Sequence, residues 1–298
     1  MRGTLIGILA LTAIPLFSAG GSHRHPGSWG NTGMNITVND WSEDGPAGCD
    51  SLRITFNNEP ALRSEQELPV ASLASLKVNS DQNGGIHVVG WSQSRYAVTV
   101  CKAAAFGEDL SGIRASVSGN SVSANGPDNG NWVAYFIVHV PRGAQLDLST
   151  HNGGIGLHNV NGTVSARAVN GPVSIKGSSG TIDAETTNGP ISIDGDSGTI
   201  KANATNGPIS VKLNGSQWLG TLDAHTQNGP LSVKIGRFYH SGVTIDSAGH
   251  SPVSCHAEAC RQARRTWDDD DNRRIELGDG ATNVRMSTVN GPVSVKEE

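Results

Sequence analysis

Between residues 144 and 235 apolar and polar side chains alternate with a period of two, in short runs broken by Asn, Gly and Pro. In "GTIDAETTNGPISID" the residues Ile182, Ala184, Ile191 and Ile193 fall on one side of their runs, and Thr181, Asp183, Glu185 and Ser192 on the other. Successive side chains of a strand point to opposite faces, so this alternation predicts strands with one buried face. The pattern recurs. Asn-Gly pairs at Asn152, Asn170, Asn188, Asn206 and Asn228 are separated by 18, 18, 18 and 22 residues, and a second strand opens on Gly-Thr at 162, 180, 198 and 220. A degraded copy stands at His250-Ser251-Pro252-Val253-Ser254 and a clean one at Asn290 to Lys296. Eighteen residues of strand reach about 59 Å, enough for two or three short strands and their corners. A unit that small cannot bury its own apolar face, so units must stack. The prediction is an all-β chain, a β-solenoid of the single-stranded β-helix kind with rungs of 18 to 22 residues.

The recurring Asn-Gly-Pro reads as a corner. Asn and Gly tolerate left-handed backbone angles, and the residue before Pro is pushed toward extended geometry. Pro lacks an N–H and suits the first residue of a strand. Asn repeated at one position also predicts a hydrogen-bonded ladder along the stack. Outward positions fall into rows: Ser165, Asp183, Lys201, Asp223; then Arg167, Glu185, Asn203, His225; and Lys176, Asp194, Lys212, Lys234. Rungs about 4.8 Å apart favour opposite charges and penalise like ones. Alternating signs make these carboxylates register-setting partners, not a catalytic pair. Lys212 beside Lys234 breaks the alternation.

A domain over 47–298 is expected, with regular rungs from about 144 to 254, a charged insertion at about 255 to 274 and a closing rung at 275–298. Its N-terminal half is an irregular β region in which the "NGGI" at 83 matches the "NGGI" at 152. Met1-Arg2, the apolar run Leu5 to Phe17 and the small residues Ser18-Ala19-Gly20 predict a signal peptide over 1–20. A polar, Gly-rich, flexible leader over 21–46 follows. The apolar run is too short to span a membrane well, and no second one follows. The expectation is an exported protein (periplasmic, surface-bound or secreted) with no transmembrane segment once the signal is removed. Four cysteines suit an oxidising compartment. The local pairing, Cys49-Cys101 and Cys255-Cys260, is favoured, and the other two connectivities stay open.

Composition adds two constraints. Thirty-eight Gly and only 16% charged residues fit many short strands joined by tight turns. A net charge of −5 with no basic block argues against nucleic acid as a partner. With those residues in place, a resemblance becomes specific. A strand ending in Val140-Pro141, then "LDLSTHNGGIGLHNVNGTVSARAVNGPVSI", is similar to the bacterial exported family labelled putative adhesin. The closing "IELGDGATNVRMSTVNGPVSV" resembles that family's last coil, and the likeness covers roughly residues 50 to 298. It implies a β-solenoid and an adhesin-like role in a family of otherwise unknown function. It supplies no catalytic residues.

Candidate chemistry is sparse. Gly195-Asp196-Ser197-Gly198 resembles the nucleophile loop of trypsin-like proteases, yet Gly177-Ser178-Ser179-Gly180 stands at the aligned place, so it reads as a repeat corner. Asp194 and Asp196 do not repeat as calcium ligands would. Asp268 to Asp271 are flanked by arginines and read as a self-neutralising loop. Cys255, His256, Cys260 and His250 can be drawn as a zinc site, against which the disulfide is preferred. Cleavage after Gly20 would leave Gly21-Ser22-His23 at the N-terminus, a square-planar arrangement for Cu(II) or Ni(II). No other metal and no cofactor is implied.

The binding expectation comes from where units lengthen: Leu213 to Leu219, Ile235 to Ser241, and His256 to about Arg274. Insertions at equivalent places gather on one edge, often a binding face. They carry Trp218, Arg237, Phe238, Tyr239 and Trp267. Exposed aromatics beside polar groups stack on sugar rings or anchor a protein partner; the competing reading folds them back over the core. The leading function is a non-enzymatic, adhesin-like surface or periplasmic interaction protein with a glycan or a cell-surface protein as partner. A polysaccharide-active lyase or hydrolase is the alternative, but such enzymes need clustered carboxylates or bases, and here the charges are dispersed along rows. A purely structural spacer is the third reading.

Overall fold

The computed structural model describes residues 27–29, 34–40, 45–70, 74–248, 251–267 and 272–298. The expected signal peptide, the Gly21-Ser22-His23 arrangement, His250 and Asp268 to Asp271 lie outside the described residues. What is described is nearly all β, with one short α-helix, Gly107–Gly112. A 12-stranded and an 11-stranded sheet enclose a common apolar core, and a separate 4-stranded sheet packs outside it. No helix among the described residues is long and apolar enough to cross a membrane.

Each regular unit lays a ten-residue strand in the larger sheet: Asn161–Asn170, Ser179–Asn188, Ser197–Asn206 and Leu219–Asn228. The chain turns at Gly-Pro and lays a shorter strand in the other sheet: Val173–Lys176, Ile191–Gly195, Ile209–Leu213 and Leu231–Ile235. Neighbouring units pair in parallel with equivalent residues opposite one another, as Val164, Ile182, Ile200 and Leu222 show. Ile182, Ala184, Ile191 and Ile193 are buried, each large aliphatic contributing roughly 1.5–3 kcal/mol.

The Asn-Gly-Pro corner forms for a reason other than the expected one. Positive φ outside glycine is confined to Asn57, Asn58 and Asn159 among the described residues, and Gly171, Gly189, Gly207 and Gly229 do not adopt it either. Glycine is needed there by contact. A Cβ on Gly189 or Gly207 would lie 2.1 or 1.9 Å from the carbonyl oxygen of the glycine one unit back. Left-handed glycines stand instead at the opposite corner, Gly180, Gly198 and Gly220, with φ of 102°, 115° and 120°. The predicted asparagine ladder is present. Each Nδ2 donates to the Oδ1 one unit back, from Asn290 through Asn228, Asn206, Asn188, Asn170 and Asn152 to Asn83, at 2.9 to 3.3 Å. Proline sits where no donor is missed, and its carbonyl accepts from the neighbouring unit, as Val173 N–H to Pro190 O at 2.9 Å shows.

Chain order and spatial order part at both ends of the stack. Thr282–Asn290 lies between Leu219–Asn228 and Gly242–Ser247, and Val293–Glu297 lies between Leu231–Ile235 and Val253–Cys255. The unit expected to close the stack is therefore internal, and the 242–255 unit is the outer one. Antiparallel strands Arg273–Leu277 and Arg264–Trp267 then extend the larger sheet past it. A register shift at Gly242 and Val243 accommodates the lost parity of that unit. At the other end Ser75–Asn83 and Ile86–Gly90 are held between the 144–158 unit and the strands Ser121–Asn125 and Trp132–Val140.

The small sheet consists of Gly27–Trp29, Ile36–Asp40, Leu52–Phe56 and Glu59–Pro60. Ile36, Val38, Leu52, Ile54 and Phe56 pack on Cys101, Ala103, Val133 and Ile137. Residues 36–40 fall within the segment expected as a flexible leader, and the alternation of "ITVND" instead makes a strand with Ile36 and Val38 buried. Cys49 is joined to Cys101 and Cys255 to Cys260, so the last two are not zinc ligands.

Candidate functional site

Register sets Arg167, Glu185, Asn203, His225, Ser287, Asp246 and Arg274 side by side across the outer face of the larger sheet. In the regular part the row neutralises itself, with Arg167 3.6 Å from Glu185 and 3.5 Å from Asp147. Such exposed pairs contribute less than about 1 kcal/mol and chiefly fix register. Beyond Asn203 the row changes character. His225 Nδ1 and Ser287 Oγ are 2.8 Å apart. Asp246 accepts two hydrogen bonds from Arg274, at 2.7 and 3.2 Å, which hold the guanidinium pKa above its ordinary value.

The strands Arg264–Trp267 and Arg273–Leu277 hang on the outer unit by antiparallel pairing and bound a trough of about 520 Å³. His225, Ser287, Asp246, Arg274, Arg273 and Trp267 line it. The Trp267 ring is 71% exposed, with the Arg273 guanidinium 5.2 Å from its centroid, a cation–π contact. Arg273 also donates to Ser251 O at 3.1 Å. An exposed ring beside a hydroxyl, an imidazole, a carboxylate and guanidinium groups suits a ligand with one apolar face and several hydroxyls. The Ser287–His225 distance also fits a nucleophile and its base. Hydrolysis would further require oxyanion donors, and the strand bearing Ser287 is paired in parallel on both sides, so its amides belong to the ladder. Among the described residues no three His, Cys, Asp or Glu side chains gather as metal ligands would.

The five residues expected on one edge are divided by the fold. The two shorter lengthened segments do stack, His240 N–H donating to Ser216 O at 2.8 Å. Trp218, however, is 1% exposed and Tyr239 6%. The Trp218 indole N–H donates to Gly198 O at 3.0 Å, its backbone N–H to Ser241 Oγ at 3.2 Å, and Asn283 Nδ2 donates to its carbonyl at 2.9 Å. Both rings therefore fill that corner of the core and present no stacking face. Burial pushes the Tyr239 pKa up to about 12, opposed by the Ser241 hydroxyl and the Trp218 backbone. The position alone did not signal this: of the residues two before Gly162, Gly180 and Gly198, Val160 and Ser178 are buried but Asp196 is exposed.

Arg237 and Phe238 remain exposed on the 236–241 segment. Trp267 pairs with Arg273 and Arg273 with Ser247, at the far end of the strand that Phe238 precedes. Of the five, Trp267 alone lines the trough. Ser287 and Asp246 escaped sequence reasoning because their neighbours follow from the insertion of 282–290 beside 219–228, which no spacing announces.

No family model matches the chain, and no curated protein matches it in sequence. Solved structures resemble it distantly. One is a putative adhesin from Bacteroides fragilis, 10% identical, with a TM-score of 0.39 over 80% of this chain and 97% of that one. Another is a putative cell adhesion protein from Clostridium sporogenes, 10% identical, with a TM-score of 0.30 over 80% and 100%. A third is a putative lipid binding protein from Parabacteroides distasonis, 10% identical, with a TM-score of 0.37 over 78% and 96%. At this level the likeness carries no argument about what the chain does.

Proposed function

We propose that the chain is an exported, non-enzymatic β-solenoid: a signal over 1–20, a leader over 21–46 and a coiled domain over 47–298 that acts as an adhesin-like, carbohydrate-binding protein of the periplasm or cell surface. The coil reading is supported by the parallel 18-residue register and the asparagine ladder. Export is supported by the N-terminal residue pattern and by two disulfides. The observation that carries binding is Trp267, a ring left open to solvent in a trough lined by hydrogen-bonding side chains.

The test is retention of the secreted protein on an array of neutral glycans, repeated with Trp267→Ala. Binding by the native protein that the substitution removes is the expected result. No retained glycan, or equal retention by Trp267→Ala, overturns the reading. Release of sugar products from the array would replace it with the polysaccharide-active alternative. Trp218→Ala is not a binding test, since that ring is core.

A further inference from the structure

The outer face of the smaller sheet carries two rows in register. One is of serines: Ser174, Ser192, Ser210, Ser232, Ser294 and Ser254. Two residues further along the strands runs the other: Lys176, Asp194, Lys212, Lys234 and Lys296. The first three alternate in sign and the last three do not: Lys234 already meets Lys212 of the preceding unit, and the inserted unit adds Lys296 directly beside Lys234. Of all strand-paired positions held by two charged residues, like signs meet only here among the described residues: Lys212 with Lys234, and Lys234 with Lys296. Everywhere else opposite signs face each other, as in Asp183 with Lys201, Lys201 with Asp223 and Asp223 with Arg285.

Lys212 is compensated. Glu298 lies 2.5 Å from its ammonium, and that hydrogen bond, with Asp194 nearby, raises its pKa. Lys234 and Lys296 form no ion pair with a described residue. Glu297, adjacent to Lys296 in the chain, accepts the Glu258 N–H at 2.8 Å. Like charges directly opposite in a sheet are destabilising. A local rule kept throughout a fold and broken at one place points to a function there.

We infer that Lys212, Lys234 and Lys296, with the hydroxyls of Ser232 and Ser294 beside them, form a track for an acidic polysaccharide whose carboxylates recur along the stack axis. The three lysines stand on adjacent strands about 4.8 Å apart, on an open face without walls. Lys234 and Lys296 are unpaired among the described residues, and Lys212 is shared with Glu298. A single ion gains little there, whereas linked anions turn each later contact into an intramolecular one. The track lies on the sheet opposite the trough and shares only the ligand class proposed for it.

The experiment measures binding of polygalacturonate to the full chain, with galacturonate and sodium sulfate as single-charge probes. Polygalacturonate is expected to bind, and the Lys234→Gln/Lys296→Gln variant to bind at least about tenfold more weakly. The thermal midpoint of that variant should equal or exceed that of the native protein, because a repulsion has been removed. Lys201→Gln, from an alternating row, should keep full binding. Absence of polygalacturonate binding, unchanged binding by the double variant, or a lowered midpoint overturns the inference. Sulfate or galacturonate binding as tightly per charge reduces the track to a simple ion site and overturns the polymer. Trp267→Ala should leave all of these values unchanged, so failure here and failure of the trough reading are told apart.

Discussion

Residues 161–213 and residues 236–298 follow the same strand-pairing rules and end with opposite surfaces. In the first region each unit pairs with its neighbours in the chain, and no like charges face one another along any row. In the second the chain steps past one place in the stack and later returns to fill it with 282–297. That return completes both candidate surfaces. It brings Ser287 against His225 and Asp246, and it sets Lys296 against Lys234. The lengthened segments, where chemistry was expected, mostly serve packing: they deliver Trp218 and Tyr239 to the core.

Trp218→Ala should break this contrast most sharply. Removing a fully buried indole is expected to cost about 3–5 kcal/mol, whereas Trp267→Ala on the exposed edge should stay within about 0.5 kcal/mol. Denaturant midpoints of the two variants decide it, and equal losses would mean that the lengthened segments are not core. Next comes the glycine pair. Gly207→Ala, whose Cβ meets a backbone oxygen at 1.9 Å, should cost about 3 kcal/mol. Gly215→Ala, in open space at φ +67°, should lose only about 1 kcal/mol, the left-handed penalty. Reversal of that order would return the regular corners to a backbone-angle explanation.

The smallest effect concerns pH. With the folded Tyr239 pKa at about 12 against about 10 when unfolded, the unfolded chain loses its proton first as pH rises. Its contribution to stability is complete below pH 10 and is lost between there and 12. Urea midpoints at pH 9 and 11 should fall more for the native chain than for Tyr239→Phe. Equal falls would mean that the phenol is not buried.

Much of the fold was legible because period-two alternation and constant intervals state both the buried face and the partner position. Ile182 beneath Ile200, Asp183 beside Lys201 and the Asn188–Asn206 contact all follow from counting. The order of units does not follow from it. Every unit offers the same edge, so "NGPVSV" at 290 pairs as well with one unit as with another, and the choice is made by what must lie outside it. Asn-Gly-Pro was recognised as a corner for the wrong reason, since a sequence shows that glycine is required without showing whether an angle or a carbonyl requires it. The trough was illegible partly for the same cause as the order: Ser287 and His225 reach Asp246 only through the insertion, and Arg273, Arg274 and Trp267 join by antiparallel pairing outside the repeat.

That insertion also sets a clock on synthesis. When residues 219–255 have emerged from the ribosome, the strand Gly242–Ser247 cannot settle against Leu219–Asn228, because its place is two strand spacings away, a gap of about 10 Å. Only Thr282–Asn290 and Val293–Glu297 fill that gap. Folding of the regular units, with His225 of the trough on one of them, can track translation from the N-terminal side, while the outer unit, its hairpin and the rest of the trough wait for residues 282–297. A chain stalled short of residue 297 would carry a well-formed stack that ends in an open slot, with unpaired edges on both of its sides.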